Sequence, residues 1–209
     1  MPNNRRERLR KQARREPFLE SKPRILVVTE GQVTEPEYLS GFVKVCKNPR
    51  VEIKVAPEHG RDPKSLVGIA KQYRQEANRA ADSEADDNLR YESVWCVFDV
   101  DDHIGIPDAR QMARDNGIEL AISNPAIELW LLLHFRESPG MQHRDKVRRM
   151  LAEFVPGYDK HVDFSEYSPA YEDAFRRAQK LDQAATQAGE EGRNPSTGVY
   201  RLTGLIQND

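Results

Sequence analysis

Two aspartates set two apart, Asp99 and Asp101, close the apolar run 94–98 in the stretch Ser93-Val-Trp-Cys-Val-Phe-Asp-Val-Asp-Asp-His103. On an extended chain alternate side chains share a side, so both carboxylates project together, an arrangement that a divalent cation relieves. A strand followed by Asp-x-Asp also arises simply because aspartate forms turns well, so the pair gains meaning only from company. That company is Glu30, which follows a second apolar run, 25–29, and precedes Gly31, a residue that lets the backbone turn sharply. Glu30, Asp99 and Asp101 together form an all-oxygen ligand set suited to Mg2+ or Mn2+. A cation held there would neutralise a phosphodiester, orient a water and stabilise a leaving oxygen, as phosphoryl transfer requires. Asp102 is expected to point away from the Asp99/Asp101 side and to serve a second metal or a supporting role. His103 adjoins the acids as a general base or phosphate contact, whereas His134, late in an apolar helix, reads as a hydrogen-bonded structural histidine.

These residues need elements that hold them at one edge. Residues 24–29, 51–56, 94–98 and 118–122 read as strands; 35–47, 63–80, 107–116 and 126–135 read as helices between and after them. Thr34 is the expected N-cap of the first helix, Asp62-Pro63 the cap and first position of the second, and Gly117 the C′ residue of the third. Strict alternation of strand and helix predicts right-handed crossovers and a parallel sheet with helices on both faces. Ligands of such sheets gather outside the carboxyl ends of the strands, which places Glu30, Asp99, Asp101 and Asn124 on one edge. Glu35 lies one turn into the first helix, where it either reaches the metal or favours the positive helix end. Glu128 lies one turn into a helix that is apolar almost all round, which argues for a buried helix with its carboxylate near the cleft.

The division expected is a basic arm over 1–23, an α/β core over 24–137 and a helical extension over 138–209 packed on the core, with helices over 144–154 and 170–188 and a last one opened by Asn194-Pro-Ser-Thr197. With 38% hydrophobic and 32% charged residues, 209 residues suffice for one domain with a sizeable core, and no apolar run has membrane-span length. The arginine-rich start lacks the apolar segment of a secretory signal, which makes the cytoplasm the expected location. Cys46 and Cys96 read as reduced core thiols, too few for a disulfide or zinc framework. The net charge of −2 hides a basic segment, Arg5 to Arg15, that would either be solvated or touch phosphates or an acidic partner. Neither Gly-x-Gly-x-x-Gly nor Gly-x-x-x-x-Gly-Lys occurs, so no dinucleotide or NTP-hydrolysis site is signalled.

Four blocks carry a resemblance to a known family: Thr29-Glu-Gly-x-x-Thr-Glu-Pro-Glu-Tyr38, Phe98-Asp-Val-Asp-Asp-His103, Ser123-Asn-Pro-x-x-Glu-Leu-Trp-Leu-Leu-Leu-His-Phe135 and Asn194-Pro-Ser-Thr197. They resemble the RloB family, and the first two also resemble the Toprim domain of topoisomerases, primases and OLD-type nucleases. The resemblance implies a Toprim-like (Rossmann-like) α/β fold and a metal-dependent nuclease, with Glu30 as the Toprim glutamate and Asp99 and Asp101 as its Asp-x-Asp pair. It also implies a role in phage defence and abortive infection, an AAA-type ATPase encoded alongside, and a nucleic-acid substrate, whether tRNA, other RNA or DNA. Many Toprim nucleases have a lysine after the acidic pair. Here Arg61, Lys64, Lys160 or the basic arm would have to supply that positive charge. Two alternatives stand beside this reading: a non-catalytic adaptor that binds the ATPase, and another Asp-x-Asp enzyme of phosphoryl or glycosyl transfer. Haloacid-dehalogenase phosphatases place Asp-x-Asp after strand one, which leaves Glu30 unexplained. No membrane partner is expected, and a homodimer is compatible with all three readings.

Overall fold

The computed structural model describes residues 23–57, 62–100 and 105–208. Most of the basic arm, Arg61, Asp101, Asp102 and His103 therefore lie outside the described residues.

Four apolar runs become parallel strands: β1 (Ile25–Thr29), β2 (Val51–Val55), β3 (Ser93–Asp99) and β4 (Glu119–Asn124). All five residues of β1 are buried, as befits a strand covered on both faces. Side-chain parity divides the core. Ile25, Val27, Trp95, Val97 and Ala121 face α1 (Thr34–Cys46) and the C-terminal helices, whereas Leu26, Val28, Cys96, Phe98 and Ile122 face α2 (Pro63–Glu84) and α3 (Ile106–Asp115). Asp99 has the parity of Trp95 and Val97, which directs it to the α1 face.

The helical starts follow their signals unevenly. Asp62 caps α2 by accepting from the Ser65 amide at 3.0 Å, and Gly117 adopts φ +59° beyond α3. Thr34, expected as a cap, is instead the first residue of α1, and its hydroxyl donates to the Lys160 carbonyl at 2.8 Å. A partner 126 positions away has outcompeted the local cap. The helix expected over 126–135 shrinks to α4 (Glu128–Leu132), because both ends tighten into i→i−3 hydrogen bonds, Leu129 to Ala126 and His134 to Leu131.

The C-terminal segment supplies α5 (Arg144–Ala152), α6 (Tyr171–Gln187) and α7 (Val199–Asn208). It is not helical throughout. Ser196–Thr197, expected to cap the last helix, forms a short strand β5, antiparallel to β4 with Ser123 opposite Thr197. The sheet order is β2-β1-β3-β4-β5. With seven helices among the described residues, the fold is Rossmann-like α/β. No helix among the described residues is long and apolar enough to cross a membrane.

Candidate active site

The β1–β3 ladder continues one residue past β1, with the Glu30 amide donating to Val97 at 2.9 Å, and β3 continues to Val100, whose amide donates to Ser123 at 2.8 Å. Glu30 and Asp99 consequently leave adjacent strands at the same edge. Both line a cleft of about 330 Å³, together with Gly31, Glu35 and Glu128, while Arg144 and Lys160 supply its positive charge.

Glu35 is only 6% exposed, and its carboxylate lies against Gly31 so closely that a Cβ there would sit 2.0 Å from Oε2. Gly31 is thus required for close approach, beyond the turn it permits. Burial first, then the nearby Glu128 and Glu30 carboxylates, push the Glu35 carboxyl up to about 7, against the opposing hydrogen bonds from its own amide and that of Gly31. Glu128 is also buried and accepts a hydrogen bond from the Tyr158 hydroxyl at 3.3 Å.

The segment around Lys160 is clamped to the first turn of α1. Glu37 accepts from the Val162 amide at 2.7 Å and contacts His161 Nδ1 at 2.8 Å, while Thr34 holds the Lys160 carbonyl. Lys160 itself adopts φ +84°. These bonds carry a lysine from the C-terminal segment to the strand ends.

Of the other expected site residues, Lys64 forms an exposed ion pair with Asp108 at 3.5 Å and is not among the cleft-lining residues. Nor is Asn124, whose amide donates to the Gly192 carbonyl at 2.8 Å. His134 is structural as expected. A carbonyl can only accept, so Nδ1–H donates to Trp130 at 3.0 Å and Nε2 accepts from the Tyr38 hydroxyl at 3.1 Å. Burial depresses its pKa to about 4.

Sequence reasoning missed Arg144 and Tyr158. A signal existed for Arg144: a cation in the first position of a helix opposes the helix dipole and asks for a reason.

The cleft offers carboxylate oxygens without sulfur or imidazole, a donor chemistry that fits a hard divalent cation. Among the described residues no group of three His, Cys, Asp or Glu is arranged to hold a metal. Two of the three expected ligands, Glu30 and Asp99, face the cleft, and the third, Asp101, lies outside the described residues.

Fold and site define a Rossmann-like α/β protein with an acidic cleft at the carboxyl edge of its parallel strands. The model of the RloB-like protein family matches residues 25–206, and the chain belongs to that family. No curated protein and no solved structure matches it.

Proposed function

We propose that this protein is a Mg2+-dependent nuclease of Toprim type, acting as the effector of an antiphage defence system. One observation carries the reading: Glu30 and Asp99, from the ends of neighbouring strands, line the same cleft as Lys160 and Arg144. Glu30, Asp99 and Asp101 would hold Mg2+ or Mn2+, which supplies charge neutralisation at the scissile phosphodiester. Lys160 and Arg144 bind phosphate oxygens of the strand. Glu35, with its carboxyl near 7, accepts the proton of the attacking water at neutral pH. Tyr158 orients Glu128, which deepens the negative potential that keeps Glu35 basic. His103 is a second candidate for proton transfer or phosphate contact, and Arg61 a further phosphate contact. In this reading the protein works in the cytoplasm on RNA or DNA, alongside an AAA-type ATPase.

The test is cleavage of tRNA, other RNA and DNA in Mg2+ by the purified protein, alone and with the ATPase. Asp99→Ala is expected to abolish cleavage, and full activity in that variant sinks the proposal. The second reading is a non-catalytic effector that binds the ATPase. In that case defence survives Asp99→Ala and Glu30→Ala but is lost on deleting the basic arm.

A further inference from the structure

A second polar pocket, of about 150 Å³, lies where β4 and β5 meet α3 and the start of α7. Two guanidinium groups from different elements share it, Arg110 of α3 and Arg201 of α7. Like charges brought together in one cavity cost free energy unless an anion answers them. Among the described residues the Arg110 guanidinium makes no hydrogen bond, and the Arg201 guanidinium makes one weak contact with the Leu120 carbonyl at 3.5 Å. Half-burial first and then the neighbouring Arg201 depress the Arg110 pKa, against the opposing pull of Glu191 and Asp182. Both acids line the same pocket. Neither Asp182 nor Glu191 forms an ion pair with these arginines within the described residues; Asp182 accepts from the Tyr200 hydroxyl at 2.7 Å, and Glu191 is exposed at the rim.

The backbone makes room for both guanidiniums. A Cβ at Gly192 would lie 2.9 Å from Arg110 Nη2, at φ +77°, and one at Gly198 would lie 2.9 Å from Arg201 Nη2 and 3.2 Å from the β4 backbone. Gly192 is fixed by Asn124 and Gly198 by the Ile122 carbonyl, which accepts its amide at 2.8 Å. The buried Ser196 also lines the pocket. Ser196 and Thr197, unused by the strand-end cleft, line this second pocket, and Asn124 holds Gly192 beside it.

We propose that the pocket formed by Arg110, Arg201 and Ser196 is a binding site for a single phosphate group. Planar guanidiniums match phosphate oxygens bidentately, and the Ser196 hydroxyl adds a further donor. The volume falls well below the roughly 300 Å³ at which sites for drug-sized ligands begin, so the phosphate enters alone or as a protruding group of a longer molecule. The site stands whether or not the strand-end cleft cleaves nucleic acid.

Thermal unfolding of the full chain in EDTA, titrated with inorganic phosphate at ionic strength held constant with chloride, tests it. The wild type is expected to show a saturable rise in Tm. In Arg110→Gln/Arg201→Gln the half-saturating concentration should rise about tenfold or more, with a Tm in chloride alone no lower than that of the wild type. Arg110→Lys, which keeps the charge but not the fork, should fall between the two. Binding of a 5′-phosphorylated oligonucleotide in EDTA distinguishes the source. A matching loss of its affinity in the double variant assigns the phosphate to a nucleic-acid strand, whereas a loss of inorganic phosphate binding alone assigns it to a small ligand. Two results overturn the proposal: neither probe binds the wild type in an Arg110- and Arg201-dependent manner, or the effect disappears with Lys160→Ala and survives the double arginine change.

Discussion

Two buried titratable side chains sit on the same face of the sheet and behave oppositely. His134 is 2% exposed, has both ring nitrogens satisfied by Trp130 and Tyr38, and is held neutral. Glu35 is 6% exposed, stands among like charges at an open cleft, and is held close to its titration point at neutral pH. Burial is common to both and discriminates nothing. What differs is the surroundings: neutral hydrogen-bond partners and aromatic edges lock the histidine, while carboxylates on neighbouring elements raise the cost of ionising the glutamate. A perturbed group signals function when its perturbers converge on a space that a ligand can enter.

The pH dependence of stability tests the contrast most strongly. The folded-state pKa of His134 is lowered from 6.5 to about 4, so its contribution is present above pH 6.5 and is lost as pH falls through 4, at a cost of about 3 kcal/mol. Glu35 has the reverse sign. Its folded pKa is raised from 4.5 to about 7, so its contribution is full below pH 4.5 and is lost as pH rises through 7, again by about 3 kcal/mol at most. The two windows overlap with opposite slopes, so in denaturant unfolding in EDTA the two contributions should nearly cancel between about pH 4.5 and 6.5. Glu35→Gln should unmask the His134 contribution as a rise in stability from pH 4 to 6.5, and a Glu35→Gln protein that shows no such rise breaks the contrast.

Gly31→Ala comes next. With a Cβ placed on the Glu35 carboxylate, the side chain must leave its seat, at a cost of about 1–3 kcal/mol and with the same rise in stability from pH 4 to 6.5 as in Glu35→Gln. Gly105→Ala, where nothing lies within 4 Å of the added carbon, is the matched control and should change stability little. A smaller effect belongs to Tyr38→Phe, which removes the donor to His134 Nε2. About 1 kcal/mol is expected from chemical denaturation, together with an upward shift of the His134 titration followed by NMR. Smallest is Lys64→Ala. Its partner Asp108 is exposed, so both stability and cleavage should stay within about 0.5 kcal/mol of wild type; a large loss of cleavage would return Lys64 to the phosphate-binding set.

Much of the architecture was legible because burial writes itself locally. Continuous apolar runs such as 25–29 and 94–98 can be satisfied only inside a covered parallel sheet, and acids placed directly after them must emerge at its carboxyl edge. Glu30 and Asp99 were readable as cleft residues on that basis, Glu35 and Glu128 were candidates from their places one turn into their helices, and Lys160 was named through the family resemblance. Less legible was anything set by a distant partner. Thr34 was claimed by Lys160, not by its own helix, and Ser196–Thr197 by the edge of β4.

The sequence by itself determined the strand and helix order through β4 and the acids at the strand ends, because local periodicity and apolar burial leave few alternatives. Only the tertiary structure decided which cations meet those acids. Lys160 and Arg144 arrive from the C-terminal segment through bonds to α1 and the packing of α5, while Lys64 and Asn124, nearer in sequence, turn to Asp108 and Gly192. The convergence of side chains from distant segments depends on how whole elements pack, and no local pattern records it.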